Sequence, residues 1–170
     1  TNGGLDYQPF FPQGNANANI AVNELLILPN DKIVVNQSYV NNPNCYVSLR
    51  KFNANGTADT AFGVDGEAVK SILTSGNDFI DGYVYSSSCI QADGAILSTL
   101  AQKNNSNEYI ESIFRFNSQG QLDNTLNITM NNSTFGPRKS KIATSGNKIY
   151  FLSKDSNFEP NGFSELRCYD

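Results

Sequence analysis

Leu26-Ile27-Leu28-Pro29-Asn30-Asp31-Lys32-Ile33-Val34-Val35 sets two apolar, β-branched-rich runs against each other across a short polar turn. Two such runs separated by residues that accept turn geometry predict a β-hairpin. The same shape returns at Cys89-Ile90-Gln91-Ala92-Asp93-Gly94-Ala95-Ile96-Leu97 and again at Ile142-Ala143-Thr144-Ser145-Gly146-Asn147-Lys148-Ile149-Tyr150-Phe151. A shape that recurs in order marks a repeat architecture, and the period governs every later assignment. Each hairpin is followed by a second landmark in which an apolar residue and an arginine lead to an aromatic: Leu49-Arg50-Lys51-Phe52, Phe114-Arg115-Phe116 and Leu166-Arg167-Cys168-Tyr169. Behind the first two come polar turns, Asn53-Ala54-Asn55-Gly56 and Asn117-Ser118-Gln119-Gly120, and then Ala58-Asp59-Thr60-Ala61-Phe62 and Leu122-Asp123-Asn124-Thr125-Leu126.

The spacings agree between landmarks. Ile33 and Ile96 are 63 residues apart and Ile96 and Ile149 are 53, while Arg50 and Arg115 are 65 apart and Arg115 and Arg167 are 52. The longer unit carries its extra length in the polar segments around Ser75-Gly76-Asn77-Asp78 and Lys103-Asn104-Asn105-Ser106, because loops tolerate insertion. The part missing from the third copy stands at the other terminus, as Asn2-Gly3-Gly4-Leu5-Asp6-Tyr7-Gln8-Pro9-Phe10. The repeat is therefore circularly permuted, with units at about 11–63, 64–126 and 127–170, the last completed by 1–10. Alternation in Val47-Ser48-Leu49-Arg50, and glycine or asparagine wherever a tight turn needs a positive φ, predict an all-β domain. Each unit should hold about four strands.

These residues resemble the delta-60 repeat, a family of secreted bacterial repeats read as β-propeller blades. Its units run as an apolar stretch, D-G-K-I, a second apolar stretch, and then R-x-N-x-D-G-x-L-D-x-x-F-G. The closest copy here is Asn30-Asp31-Lys32-Ile33 with Arg50 through Gly63, and the second is Asp93-Gly94-Ala95-Ile96 with Arg115 through Asp123. The chain departs from the pattern at Asp31, which stands where the family has glycine, at Leu126 in place of Phe, at an extra residue between Asp6 and Phe10, and at the third turn, Ser145-Gly146-Asn147-Lys148. The resemblance implies a β-propeller fold, a secreted or cell-surface setting and no catalytic residues. Propellers typically close with 4–8 blades, so three units leave the ring unfinished. A homodimer that builds a six-bladed ring, or additional blades from a larger assembly, would finish it. A β-trefoil, which closes with three four-stranded units in one chain, is the alternative fold.

Composition narrows the function. The chain has 170 residues, 39% hydrophobic and 16% charged, with 11 Phe and 8 Tyr, enough to bury the core of a single domain. No apolar run reaches the roughly 18 residues that a spanning helix requires, and no charged segment followed by an apolar one opens the chain, so no membrane insertion is expected. A net charge of -4 supplies no basic field for phosphates, which argues against nucleic acid. With no histidine, Ser-His-Asp and Cys-His mechanisms fall away. Cys45, Cys89 and Cys168 stand too far apart for zinc or dithiol chemistry, permit at most one intrachain disulfide, and read as buried free thiols. Ser48 and Lys51 fit S-x-x-K, but on a strand they point to opposite faces and cannot share acyl-transfer chemistry.

Three groups of side chains are candidates for a role. Arg50 with Asp59, Arg115 with Asp123, and Arg167 with Asp6 recur as pairs in which guanidinium and carboxylate would tie strands together within a unit. Asp78 and Asp81, in Asn77-Asp78-Phe79-Ile80-Asp81-Gly82, and Asp65-Gly66-Glu67 put hard oxygens in glycine-containing loops, which suits calcium, the one cofactor considered. Tyr39, Tyr46, Tyr83, Tyr85 and Tyr109 lie near strand ends, where aromatic faces stack on sugars or anchor a protein. The expected function is a non-enzymatic extracellular scaffold for protein binding or adhesion, with a carbohydrate-binding lectin as the alternative. The expected partner is a protein or glycan surface.

Overall fold

Asp31 takes the positive φ, 59°, that the first hairpin turn requires and that glycine takes at the second, where Gly94 has φ 80°. Asp31 thus takes the same kind of backbone conformation as Gly94, and aspartate is among the few side chains that enter this region. In both turns the chain folds back through matching hydrogen bonds, Leu28 N–H to Lys32 C=O and Gln91 N–H to Ala95 C=O, each 2.8 Å.

The structure, a computed structural model, describes residues 20–41, 44–73, 86–103, 109–132, 138–155 and 164–169. These residues are all-β, with no helix among them. Eleven strands are present among the described residues: β1 (Ile20–Ile27), β2 (Ile33–Asn41), β3 (Asn44–Phe52), β4 (Glu67–Leu73), β5 (Ser88–Ile90), β6 (Ile96–Lys103), β7 (Tyr109–Phe116), β8 (Leu122–Asn132), β9 (Arg138–Ser145), β10 (Lys148–Asp155) and β11 (Ser164–Tyr169). They form three antiparallel sheets with strands in sequence order: a first sheet β1-β2-β3-β4, a second β5-β6-β7-β8 and a third β9-β10-β11. None of the sheets closes on itself. The proposed fourth strand of the third unit, residues 1–10, lies outside the described residues.

The sheet boundaries differ from the unit boundaries drawn at 63 and 126. Asp59-Thr60-Ala61-Phe62 precedes β4, which completes the first sheet, whereas Leu122-Asp123-Asn124-Thr125-Leu126 lies within β8, which completes the second. Register fixes the true equivalence of the units. Ile33 pairs with Phe52, Ile96 with Phe116 and Ile149 with Tyr169, so these six residues occupy corresponding places.

Two apolar clusters hold the three sheets together. Leu28, Val34, Val47, Leu49, Phe62 and Ala68 meet Ile96, Leu100, Phe114 and Phe116 between the first and second sheets. Leu97, Ile113 and Met130 meet Ile142, Ile149 and Phe151 between the second and third. The strand period of two explains this division, since neighbours such as Ile96 and Leu97 point to opposite faces. The second sheet is consequently covered on both sides. At the inner edge, β1 lies against β5 and β5 against β9, with β6 also touching β9.

Candidate functional site

The Asp-bearing turns act as joints. Asp59 is buried and its carboxylate accepts from Lys32 Nζ at 2.8 Å and faces Lys51 Nζ at 3.6 Å. The hydrogen bond from Lys32 leads the causes that hold this carboxyl below its usual range, with burial opposing it and the two lysine charges assisting. Arg50 does not fill this place. It lies on the opposite face of β3, with its guanidinium 6.0 Å from the centre of the Phe52 ring. The expected Arg50–Asp59 pair is therefore replaced by Lys51–Asp59, because alignment on arginine is one residue out of the register that the aromatic pairs impose. In the second unit Arg115 does reach Asp123, and also contacts Asp93 and, at 2.7 Å, Gln91. Asp123 is lowered to about 2, first by the Thr125 hydroxyl and backbone N–H and then by Arg115. Arg167 is on β11; its expected partner Asp6 lies outside the described residues.

The segment Asp59-Thr60-Ala61-Phe62-Gly63 also joins one sheet to the next. Phe62 is 2% exposed and plugs the space between them, with Lys51 Nζ 5.1 Å from its ring centre. Gly63 N–H donates to Gln119 C=O in the turn between β7 and β8 at 2.8 Å. The approach is so close that a Cβ on Gly120 would stand 2.7 Å from Gly63 N and 3.0 Å from the Phe62 ring.

A polar layer crosses the sheets above this apolar zone. Glu24, beside a bulge in β1, accepts from Ser88 N–H at 2.5 Å and Ser87 Oγ at 3.2 Å, and its other oxygen meets Lys141 Nζ at 2.8 Å. One carboxylate thus contacts all three sheets or the segments leading into them. Buried Asn36 donates to Ser86 Oγ and Ser88 Oγ at 2.9 and 2.6 Å, and Thr99 meets Ser140 at 3.3 Å. These bonds satisfy the Asn36 amide N–H groups and the serine and threonine hydroxyls, which would be costly to bury alone. The sequence reading missed Glu24, Asn36, Lys51 and the serine run. A lone acid within Ile20-Ala21-Val22-Asn23-Glu24-Leu25-Leu26-Ile27 was the available signal.

The outward face of the first sheet gathers a second group. Tyr39 and Tyr46 are cross-strand partners whose rings stack with centroids 4.7 Å apart and planes 8° from parallel. Burial pushes the Tyr39 phenol up to about 12, with Glu67 and Tyr46 adding to the effect. On the same face Ser48 Oγ donates to Glu67, and Gln37 is 1% exposed with neither end of its amide hydrogen-bonded among the described residues. Beside them a cleft of about 640 Å³ is lined by Arg50, Gly63, Val64, Asp65, Glu67 and Val69, among others. No family model, curated protein or solved structure matches the chain. What the site can do is read from its own chemistry.

Of the remaining expected residues, Tyr109 begins β7, opposite Asn132 of β8, while Tyr83, Tyr85, Asp78 and Asp81 lie outside the described residues. Among the described residues no group of three or more acidic, cysteine or histidine side chains is placed to hold a metal. Ser48 and Lys51 do sit on opposite faces of β3, with Ser48 at Glu67 and Lys51 at Asp59. Cys89 and Cys168 are free thiols, and only Cys89 is sheltered; Cys168 is exposed, which corrects the expectation of burial. Burial pushes Cys89 up to about 11.

Equivalent positions on the sheets differ sharply in exposure. Leu49 and Ile113 are each 0% exposed, while Leu166, their counterpart by register, is 68% exposed. Likewise Leu152, at 42%, corresponds to Asn36 and Thr99, both 0%. At the other end of the stack Val22, Leu25 and Ile27 of β1 are 61%, 56% and 59% exposed. The third sheet's far face is thus open at Leu152 and Leu166, and the first sheet's outward face is open along β1, while its centre, with Val35, Gln37, Ser48 and Phe52, is buried.

Proposed function

We propose that the chain is a non-enzymatic binding module of the β-propeller type, engaging a protein partner through its outward sheet faces. The observation that carries the reading is the exposure of Leu166 at a position whose two equivalents are fully buried. Large apolar side chains gathered on one face favour a protein surface. Sheets with strands in sequence order, stacked so that β1, β5 and β9 adjoin, favour propeller blades over a trefoil. The non-enzymatic part of the reading is supported by the use of Asp59, Asp123 and Glu24 in joints between strands and sheets. An extracellular setting follows from the likeness to delta-60 repeats.

The stacked Tyr39 and Tyr46, beside Ser48, Glu67 and the cleft, favour a second reading, in which the first sheet's outward face takes a sugar ring. Paired baits separate the two. The wild-type chain and its Leu166→Asp and Tyr46→Ala variants are probed against purified candidate proteins and a glycan array. Protein binding that falls tenfold or more in Leu166→Asp supports the first reading. Glycan binding lost only in Tyr46→Ala would replace it with the second.

A further inference from the structure

We infer that the outward face of the third sheet docks an acidic protein segment, which sets apolar side chains on Leu152 and Leu166 and carboxylates on the lysines beside them. The inference rests on the outward faces being protein-binding surfaces, and it names the chemistry of the partner.

Charge is spread unevenly along the chain. Of its 12 lysines and arginines, Arg138, Lys139, Lys141, Lys148, Lys154 and Arg167 stand on the three strands of the third sheet, together with the acids Asp155 and Glu165. The strand period of two sorts these residues by face. Arg138, Asp155, Glu165 and Arg167 share register positions with the core residues Ile142, Ile149 and Phe151, on the side that meets the second sheet. Lys139, Lys141, Lys148 and Lys154 alternate with that core and take the outward side. All four lysines of the sheet and neither acid thus fall on one face, although the chain as a whole carries a net charge of -4.

The same face carries the open leucines. Lys141, Leu152 and Leu166 form one row across β9, β10 and β11, and all three are exposed. Lys139 and Lys154 pair with each other in the next row, two residues along from Lys141 and Leu152. Like charges directly opposite each other on neighbouring strands disfavour the sheet. A carboxylate set between them turns that repulsion into two attractions. Lys141 already meets Glu24 at 2.8 Å, so Lys139 and Lys154 supply most of the preference for an acidic partner.

The two covered faces are built differently. By register Lys154 corresponds to Ser38 in the first sheet and Ala101 in the second, which are 1% and 6% exposed. Inside the stack this place holds a small side chain, so that the next sheet can approach. A lysine there would carry its charge into a dry contact, which is costly unless a carboxylate comes with the covering surface. The third sheet's face therefore suits a partner unlike the sheets of this chain. Leu152 and Leu166 require that the partner also bring apolar side chains. A polysaccharide or a nucleic acid supplies anions without them, whereas a protein segment supplies both, with an apolar centre and a charged rim.

The test selects short random peptides, displayed on phage, against the immobilised full chain, and measures the enriched peptides by fluorescence anisotropy. They should combine Asp or Glu with Leu, Ile or Phe. Their affinity should fall about tenfold between 0.1 and 1 M salt, because the screening length contracts from about 10 to about 3 Å. The Lys139→Glu, Lys154→Glu double variant and Leu166→Asp should each weaken them tenfold or more with an unchanged circular dichroism spectrum. Lys154→Gln, which removes one charge and keeps the stem, should weaken them less, and it serves where the double variant fails to fold. Enriched peptides that are neutral or basic, and that need Leu166 but not the lysines, would overturn the acidic partner and keep the face as a protein-binding surface. Peptides that bind every variant alike, or no enrichment at all, would overturn both. Sedimentation with phosphatidylglycerol vesicles that is lost in the lysine variant, with no acidic peptide enriched, would replace the protein partner with an anionic lipid surface.

Discussion

Replacing Phe62 with alanine should uncouple the first sheet from the second. The ring is 2% exposed and belongs to the apolar cluster between them, so its removal deletes a fully buried aromatic side chain. Such truncations cost about 3–5 kcal/mol, the larger values arising where the surroundings cannot collapse into the space. Here collapse is restricted, because the ring is bounded on one side by the backbone of Gly120, held in place by the Gly63 N–H to Gln119 C=O bond. The Lys51 ammonium, itself largely covered, also loses its aromatic face, worth roughly 0.5–2 kcal/mol. Against a typical total stability of about 5–15 kcal/mol the loss is severe. With a urea dependence of about 2 kcal/mol per molar, the unfolding midpoint should fall by about 1.5–2.5 M. Urea titration followed by far-ultraviolet circular dichroism and tyrosine fluorescence measures this directly. Phe62→Leu, which keeps most of the volume, should cost less than about 1.5 kcal/mol. A loss below about 1 kcal/mol in Phe62→Ala would refute the placing of Phe62 as the plug between sheets.

Gly120→Ala should lose about 2–4 kcal/mol in the same titration, combining a positive φ of 82° with a backbone clash. Gly56→Ala, at φ 85° with nothing within 4 Å, should lose only the conformational part, and equal losses at the two sites would contradict the close approach. Asp59 and Asp123 both have lowered pKa values, so their contributions to stability are complete above the unfolded carboxyl range, near 3.9, and are lost as pH falls through each folded-state value, which for Asp123 is about 2. The Asp59→Asn, Asp123→Asn double variant should flatten the fall in melting temperature between those pH values, and an unchanged slope would count against both pairings. Iodoacetamide should modify Cys168 at pH 8 while sparing Cys89, as peptide mass spectrometry reads out; equal modification of the two would contradict the shelter given to Cys89.

The hairpins were legible because their turns need residues of special backbone freedom, and Asn, Asp and Gly stand at those places in all three copies. The landmark strands were legible for a similar reason, since alternation and aromatic ends survive in each. What could not be read was register. Arg50 and Lys51 are adjacent, and in a strand adjacency means opposite faces, so an alignment one residue out exchanged a residue over Phe52 for the one that meets Asp59. Lys32 escaped notice because its contact with Asp59 depends on the hairpin folding back beside the following turn. Ser86, Ser87 and Ser88 carry no hydrophobic signal of their own, yet all three are buried, with Ser86 and Ser88 bonded to Asn36 and Ser87 and Ser88 to Glu24. Their role arises from the docking of sheets distant in sequence, which local pattern does not encode.

Glu24 changes how such a chain can lose its order. Repeat arrays in which each unit touches only its neighbours behave as one-dimensional Ising systems and fray from their ends. The bond between Glu24 and Lys141 joins positions 117 residues apart and links the first sheet to the third, past the nearest neighbour. Being partly in water, that pair adds under about 1 kcal/mol by itself, but the same carboxylate also fixes Ser87 and Ser88. The first unit therefore cannot peel away without disturbing contacts to both of the others. Loop closure over such a separation should also delay the final docking step until most of the chain is synthesised.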